Sequence, residues 1–515
     1  MERPYLGSVP LRWKLLLRHR RLRIRQISVG NGYNIPMDVV PLSGSGKCNN
    51  RRCSTDYNVV FCPTSNNVRL GLLEQGGIVS VGESLTAGSE TTSWLSSSGD
   101  FAFGFYQLPN ELFLLAIWYA NIQNDAIIWY ANGDNPAPKG STLVLNNATG
   151  LVLTNPQGLE LWRSDFTSGT ISTGIMNDNG NFQLRDKDSF AIWDSFSHPT
   201  DTLLPNQVIE LNGSLSSRQG AFNFSRGRFK LHLQEDGNLV LNLINLPSNY
   251  SYDPYYSSDT NSDDKNQSYV GQRLIFDESS FLYIERKGGD NSSIISSPNG
   301  AFSTNDFYYK ATMNYDGVFS IATYPKDQTR GQSWVIQKTI PENICLYSSF
   351  QDEGVCGFNS ICTLTNDQRP NCTCPDEYSL IDSNNKYAGC IPNFQVICQA
   401  GGNWGSKDDL YTMKELPNID WPQSDYEKIS PSSLQECKES CLHDCLCVLA
   451  HFDQSTCWKK KLPVSYGRND QTVKGIAIMK LMKNDHLSSL SNEKKDHNTL
   501  IIVILVLLEA PCLSF

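Results

Sequence analysis

The chain has 515 residues, 53 acidic against 43 basic side chains and a formal net charge of −10. That length gives room for three or four domains, and the acidic balance argues against nucleic-acid binding, which needs a basic surface. Only 19% of residues are charged, and Gly, Ser, Asn, Thr and aromatic residues are plentiful, which suits short strands and turns rather than long helices.

The sixteen cysteines are unevenly placed: three precede residue 63, twelve run from Cys345 to Cys457, and Cys512 stands alone. Such clustering is that of a disulfide framework made in an oxidising compartment. Seven N-x-[ST] sequons, at Asn147, Asn212, Asn223, Asn249, Asn266, Asn291 and Asn371, agree with passage through a secretory pathway as a glycoprotein.

Residues 1–76 do not fit that account. A signal peptide needs roughly 7 to 15 consecutive apolar residues, whereas Arg12, Lys14, Arg18, Arg20, Arg21, Arg23 and Arg25 interrupt every apolar run. No signal peptide is visible, and a disordered basic leader is expected. Gly44-Ser45-Gly46-Lys47 imitates the end of a phosphate loop, but Pro41 stands where the first glycine belongs and Cys48 replaces the Ser or Thr.

From Gly77 short strands follow one another: Ile78 to Val81, Phe101 to Tyr106, Phe113 to Tyr119 and Ala126 to Tyr130. A unit of apolar strand, turn and apolar strand then recurs at Leu143 to Leu153, Gly174 to Leu184, Phe229 to Leu241 and Ala311 to Ile321. Three of these bend at Asn179-Gly180, Asp236-Gly237 and Asp316-Gly317, pairs suited to the positive φ of tight hairpins. Trp94, Trp118, Trp129, Trp162 and Trp193 are expected in the core between sheets.

The run Trp193 to Gln207 combines apolar anchors, Pro199 and Pro205, and turn-forming Thr200, Asp201 and Thr202, and reads as a structural hinge. Its pattern W-x-S-F-x-x-P-T-D-T-L-L-P-x-Q resembles the segment joining the two lectin lobes of plant G-type (S-locus-like) lectin receptor-like serine/threonine kinases. The resemblance implies a mainly β fold, with tandem bulb-type lectin β-prism lobes at 77–198 and 199–325 followed by disulfide-stapled EGF-like and PAN/apple modules. Ser248 to Gln267, rich in Tyr, Ser, Asp and Asn, reads as an exposed insertion.

Lectins of this kind bind mannose through Gln-x-Asp-x-Asn-x-Val-x-Tyr. Gln234, Asp236, Asn238 and Val240 match that pattern, with Asn242 in the tyrosine position. A carboxylate accepts sugar hydroxyls strongly and amides both donate and accept, so these are the candidate carbohydrate-binding residues. Two other repeats have drifted further, to Asn177, Asn179, Asn181 and Gln183, and to Asn146, Ala148, Gly150 and Val152.

Cys345, Cys356, Cys362, Cys372, Cys374 and Cys390, within 341–391, resemble an EGF-like module, although six cysteines alone allow fifteen pairings. The resemblance implies Cys345–Cys362, Cys356–Cys372 and Cys374–Cys390. Pro341-Glu342-Asn343-Ile344 offers a single carboxylate, so calcium is not expected. Across 398–480, Cys398, Cys437, Cys441, Cys445, Cys447 and Cys457 resemble a PAN/apple module, implying Cys437–Cys457, Cys441–Cys447 and Cys398–Cys445. The competing reading is zinc at His443, His451 and neighbouring thiols, but the even count and the oxidising compartment favour disulfides. No metal or other cofactor is expected.

A polar linker at 481–499 leads to 500–515, where Leu500 to Leu508 read as a transmembrane helix cut short, since a span needs about 20 apolar residues. Kinase motifs are absent from the sequence, so no enzymatic activity is expected of it. The expected function is ligand recognition at the cell surface, outside the cell or at the plasma membrane. The ligand would be a mannose-type glycan or a protein. The alternative is a pure interaction or decoy module that has lost sugar binding and pairs, as homo- or hetero-dimer, with receptor kinases through its PAN module.

Overall fold

The computed structural model describes residues 77–483 apart from 123–125, 167, 262–269, 289–292, 297–302, 328–332, 348–352 and 395–409. Within a separate unit, Met1–Glu74, it describes two short strands, Asp38–Val39 and Arg51–Arg52, which pair antiparallel. The remainder of the basic leader, the loop-like Gly44 to Lys47 and the apolar run Leu500 to Leu508 lie outside the described residues.

Gly77 to Ile340 form six four-stranded antiparallel sheets, three to a lobe, laid down in the same order twice. In the first lobe Ile78–Ser80 and Ser84–Thr86 each start a sheet edge. Ser93–Leu95, Phe101–Gln107, Phe113–Tyr119 and Ile127–Tyr130 then form a complete meander. Thr142–Asn146, Gly150–Thr154 and Glu160–Arg163 complete the sheet begun by Ser84–Thr86, and Thr173–Met176, Phe182–Arg185 and Ala191–Asp194 complete the one begun by Ile78–Ser80.

The second lobe repeats this. Thr202–Leu203 and Gln207–Glu210 are its edge strands, and Ser214–Arg218, Arg226–Leu233, Leu239–Asn245 and Tyr250–Ser257 its meander. Gly271–Phe276, Leu282–Arg286 and Ser293–Ser296 complete one sheet; Phe307–Met313, Phe319–Pro325 and Val335–Ile340 complete the other.

The recurrent hairpins pair as their pattern requires: Leu143 faces Leu153, Gly174 faces Leu184 and Ala311 faces Ile321. Gly180, Gly237 and Gly317 sit at the bends with φ of 89°, 85° and 89°, a region closed to most L side chains. Two expectations change. Tyr250–Ser257, read as part of an exposed insertion, is a strand whose Tyr255 is buried and donates to Gly317 O at 2.6 Å. The second lobe also extends past 325, because Val335–Ile340 pairs with Phe319–Pro325.

Each lobe buries the faces its sheets turn inward. In the first, Trp129, Trp162 and Trp193, one from the outermost strand of each sheet, meet edge to face with centroids 6.0, 6.0 and 6.1 Å apart. Trp193 faces Leu184 across its strand pair; the corresponding partners of Leu241 and Ile321 are Tyr256 and Lys338, so the second lobe does not repeat this aromatic triangle.

The Trp193 to Gln207 run is a buried joint rather than a hinge. Adjacent side chains in an extended segment point to opposite sides, and here Leu203 enters the core of the second lobe while Leu204 enters that of the first. Trp129 Nε1 donates to His198 O at 2.7 Å and Gln207 Nε2 to Phe196 O at 2.9 Å. Asp201, only 3% exposed, faces the Arg218 guanidinium at 3.8 Å. Tyr119 closes the lobe contact by donating to Tyr309 O at 2.7 Å.

The disulfides Cys345–Cys362, Cys356–Cys372, Cys374–Cys390, Cys437–Cys457 and Cys441–Cys447 are present as the resemblance implied. Cys445 is also disulfide-bonded, while Cys398 lies outside the described residues. The EGF-like and PAN modules are not separate bodies. Ile361–Leu364 of the first pairs in parallel with Arg468–Asn469 of the second, so one four-stranded sheet contains strands from both. Trp421, fully buried, donates through Nε1 to Ser360 O at 3.0 Å across the same boundary.

The PAN helix Leu434–His443 begins with a capping box formed by Ser433 and Glu436 and lies on a five-stranded sheet. At the other end of the EGF-like module, Arg228 of the second lobe donates to Glu353 Oε1 and Val355 O, both at 2.5 Å.

Candidate carbohydrate-binding site

The hairpin between Arg226–Leu233 and Leu239–Asn245 carries the four matching residues. Gln234 and Asn238 close it through Gln234 N to Asn238 O at 2.9 Å and Gly237 N to Gln234 O at 3.0 Å. Asp236 is exposed at the tip, and its Oδ1 accepts from Asn238 N at 3.0 Å, which shapes the turn. The Gln234 side chain is half-buried and makes no hydrogen bond among the described residues. These two side chains leave an amide and a carboxylate oxygen, Asp236 Oδ2, facing solvent.

The other two matching residues face inward. Asn238 donates through Nδ2 to Ser257 Oγ at 3.0 Å, and its Oδ1 accepts from Ser258 Oγ at 3.1 Å and Thr260 N at 3.3 Å. Val240 is fully buried. Asn242, in the tyrosine position, is also buried and donates to Tyr252 O at 2.9 Å. On the neighbouring strand, burial and then the Lys230 ammonium hold the His232 imidazole below its ordinary pKa, against the pull of the Asp236 carboxylate. His232 is therefore neutral at neutral pH.

Sequence reasoning missed Ser257, Ser258 and Thr260, because the segment holding them reads as a loop. A repeat pointed to them. Immediately after the outermost strand of three sheets stand Ser164, Ser195 and Ser258. Their hydroxyls accept from the hairpin N–H groups of Leu151, Phe182 and Leu239 at 3.0, 3.0 and 2.9 Å. The drifted repeat at Asn177 to Gln183 shows the same inward commitment: Asn177 donates to Asn181 O, and Asn181 Oδ1 accepts from Ser195 Oγ at 3.1 Å and Phe196 N at 3.2 Å. The repeat at Asn146 leaves Ala148 exposed beside Gly150, with no side-chain acceptor at either.

Of the sequons, Asn147, Asn212, Asn223 and Asn249 are exposed, and Asn371 is half-buried with Oδ1 accepting from Lys386 Nζ at 3.2 Å. Asn266 and Asn291 lie outside the described residues. Around His443 and His451 the described cysteines are joined in disulfides, and no group of three metal-ligating side chains occurs among the described residues.

Two family models match: D-mannose binding lectin over residues 126–226, which runs across the joint between the lobes, and PAN-like domain over residues 404–462. The G-type lectin S-receptor-like serine/threonine-protein kinase LECRK3 of Oryza sativa subsp. indica is 37% identical over 450 residues, 84% of this chain and 53% of that protein. The chain belongs to the G-type lectin S-receptor-like family. Within that family, the RLK1 protein of Arabidopsis thaliana is 36% identical over 472 residues, 87% of this chain and 55% of the relative. This G-type lectin chain thus spans about half the length of the curated relatives it matches. Among solved structures, the two-domain Scilla campanulata agglutinin is similar at 15% identity with a TM-score of 0.18, covering 50% of this chain and 99% of that one.

Proposed function

We propose that this G-type lectin chain is the ligand-recognising part of a plant receptor-like kinase, presented outside the cell. What supports this most is the order of its modules: two lectin lobes, an EGF-like module and a PAN module, joined by buried contacts, the last two stapled internally by disulfides suited to an oxidising environment. In this reading the chain contributes recognition, and phosphoryl transfer belongs to kinase segments such as those for which its relatives are named.

A mannose-type glycan would meet the second lobe at Gln234 and Asp236, whose side chains offer an amide and a carboxylate oxygen at the surface. Asn238 would stabilise the hairpin while contributing little to the sugar, and Val240 none. Screening the secreted chain on a glycan array, with Asp236→Ala beside it, tests this. Loss of one charged acceptor is worth roughly 1.5 to 3 kcal/mol, or about tenfold to a hundredfold in affinity. Array binding unchanged by Asp236→Ala would remove the hairpin from consideration.

The inward commitment of Asn238 and Asn242 favours a second reading, in which a protein ligand is recognised and the PAN module pairs receptors. Sedimentation of the secreted chain alone, and mixed with a relative's ectodomain, distinguishes it: a single monomeric species in both cases would count against pairing.

A further inference from the structure

At the joint between the lobes, away from the Gln234 hairpin, a cleft of about 470 Å³ opens between Tyr130 with the loop 131–135 of the first lobe and the strand Ser214–Arg218 of the second. Ligand pockets commonly measure about 300 to 1,000 Å³. Phe224 and Tyr130 form its floor, edge to face with centroids 5.1 Å apart. The two sides are tied by Arg226 N donating to Asp134 Oδ1 at 2.9 Å and Ser225 Oγ to Gly133 O at 3.4 Å.

Its lining is rich in hydroxyls without protein partners. Thr200 Oγ1 is shielded from solvent and has no hydrogen-bond partner, a costly arrangement unless a ligand or water completes it. The hydroxyls of Tyr130, Ser214 and Ser216 likewise make no hydrogen bond among the described residues, nor does Asp134 Oδ2. Burial, with a further push from Asp201, holds the Tyr130 phenol well above its ordinary pKa, so this hydroxyl keeps its proton and can donate.

The charges are largely balanced. Asp134 sits against the Arg226 backbone, and the Arg226 guanidinium donates to Asn249 Oδ1 at 3.0 Å. A cleft with an aromatic floor, several hydroxyl donors and acceptors and no net charge is complementary to an uncharged polyhydroxylated ring.

From this geometry we infer a second carbohydrate site, in which the cleft between Tyr130, Thr200, Ser216 and Phe224 binds a neutral oligosaccharide. It does not rest on the Gln234 hairpin. The saccharide has two available sources: free glycan, or an N-glycan on the chain's own sequons, since Asn223 immediately precedes Phe224 and Asn249 contacts Arg226.

The test is binding of mannopentaose, cellopentaose and maltopentaose by the secreted full chain, with trigalacturonate as the acidic comparison. The chain is compared with Ser216→Tyr and Ser214→Tyr, which obstruct the cleft from half-exposed strand positions, Thr200→Val, which removes the orphaned hydroxyl, and Asp236→Ala. Near-UV circular dichroism establishes that each variant is folded. The expected result is saturable binding of a neutral pentaose, weakened tenfold or more by Ser216→Tyr or Ser214→Tyr and by Thr200→Val.

Binding seen only after Asn223→Gln and Asn249→Gln also supports the site and identifies the chain's own glycan as its occupant. The inference is overturned by absence of neutral pentaose binding in both the original and the sequon-free chain, or by stronger binding of trigalacturonate. Binding that folded Ser216→Tyr and Ser214→Tyr leave intact overturns it too. Loss in Asp236→Ala alone would instead place binding at the hairpin.

Discussion

Arg369 of the EGF-like module donates through Nε to Asp316 Oδ2, at 2.6 Å, and Asp316 lies at the tip of a hairpin in the second lectin lobe with its side chain only 3% exposed. The same Asp316 accepts from Val318 N at 3.3 Å through its other oxygen, so a turn-forming carboxylate has become a fastener between modules. Asp236, in the corresponding hairpin, remains at the surface.

Arg369→Ala leaves Asp316 buried without its cation, and breaking such a pair from one side costs roughly 3 to 5 kcal/mol. The expected outcome is a lower urea midpoint and earlier proteolysis between the lectin and EGF-like parts. Arg369→Ala/Asp316→Asn should recover part of the loss, because no buried charge is then unpaired. An unaltered midpoint in the single variant would show that solvent reaches Asp316.

In the PAN module, burial pushes the Asp444 carboxyl up, but Lys459 at 2.6 Å, the Tyr426 hydroxyl and the Leu446 N–H together outweigh it and hold it down to about 2. An unfolded aspartate titrates near about 3.9. This depressed group therefore stabilises the fold above about pH 4, and its contribution, roughly 2 kcal/mol, is lost as the pH falls toward about 2. Thermal unfolding of the chain and of Asp444→Asn between pH 5 and pH 2 measures it. The gap between the two should close on acidification, and a gap that stays constant would refute the assignment.

A Cβ added at Gly467 would lie 2.0 Å from Ser360 O and 2.2 Å from Trp421 Nε1, both fixed by the sheet that the EGF-like and PAN modules share. Overpacking commonly costs about 1 to 3 kcal/mol, and backbone on the opposing side leaves little room to yield. Gly467→Ala is expected to reduce secreted yield and to expose Trp421, seen as a red shift in tryptophan emission. Normal yield with unshifted emission would mean that the modules can part without penalty.

Trp193→Ala should be among the most damaging changes in the first lobe, since it removes one corner of the tryptophan triangle; truncating a buried aromatic costs roughly 3 to 5 kcal/mol. Lys338→Ala, at the corresponding position of the second lobe and partly exposed, should alter stability far less. Denaturant titration of both variants checks this, and equal losses would contradict the distinction between the lobes.

How much of this could be read from the chain depended on local chemistry. Asn179-Gly180, Asp236-Gly237 and Asp316-Gly317 marked their hairpins because glycine meets the positive φ of the bend, and the alternating leucines on each side set which residues faced inward. Tyr250–Ser257 escaped notice because its tyrosines and serines show no apolar alternation; Tyr255 earns its burial through a hydrogen bond to Gly317 O, made 62 residues away. The shared sheet was equally hidden, since Ile419–Asp420 and Arg468–Asn469 are two residues long and carry no period. At the candidate site, composition located Gln234 and Asp236. It could not reveal that Asn238 would be held by Ser257, Ser258 and Thr260, partners supplied by the end of a strand that the pattern did not announce and by the residues just after it.

The parallel pairing of Ile361–Leu364 with Arg468–Asn469 has a mechanical meaning. An EGF-like module strung between two bodies would act as a universal joint and dissipate any tilt of the lectin lobes. Here Arg228 and Asp316 grip it from one side and a continuous sheet from the other, so a torque applied at the lobes travels as through a lever arm. It arrives at Arg468–Asn469, a PAN strand hydrogen-bonded on both flanks, to Ile361–Leu364 and Ile419–Asp420.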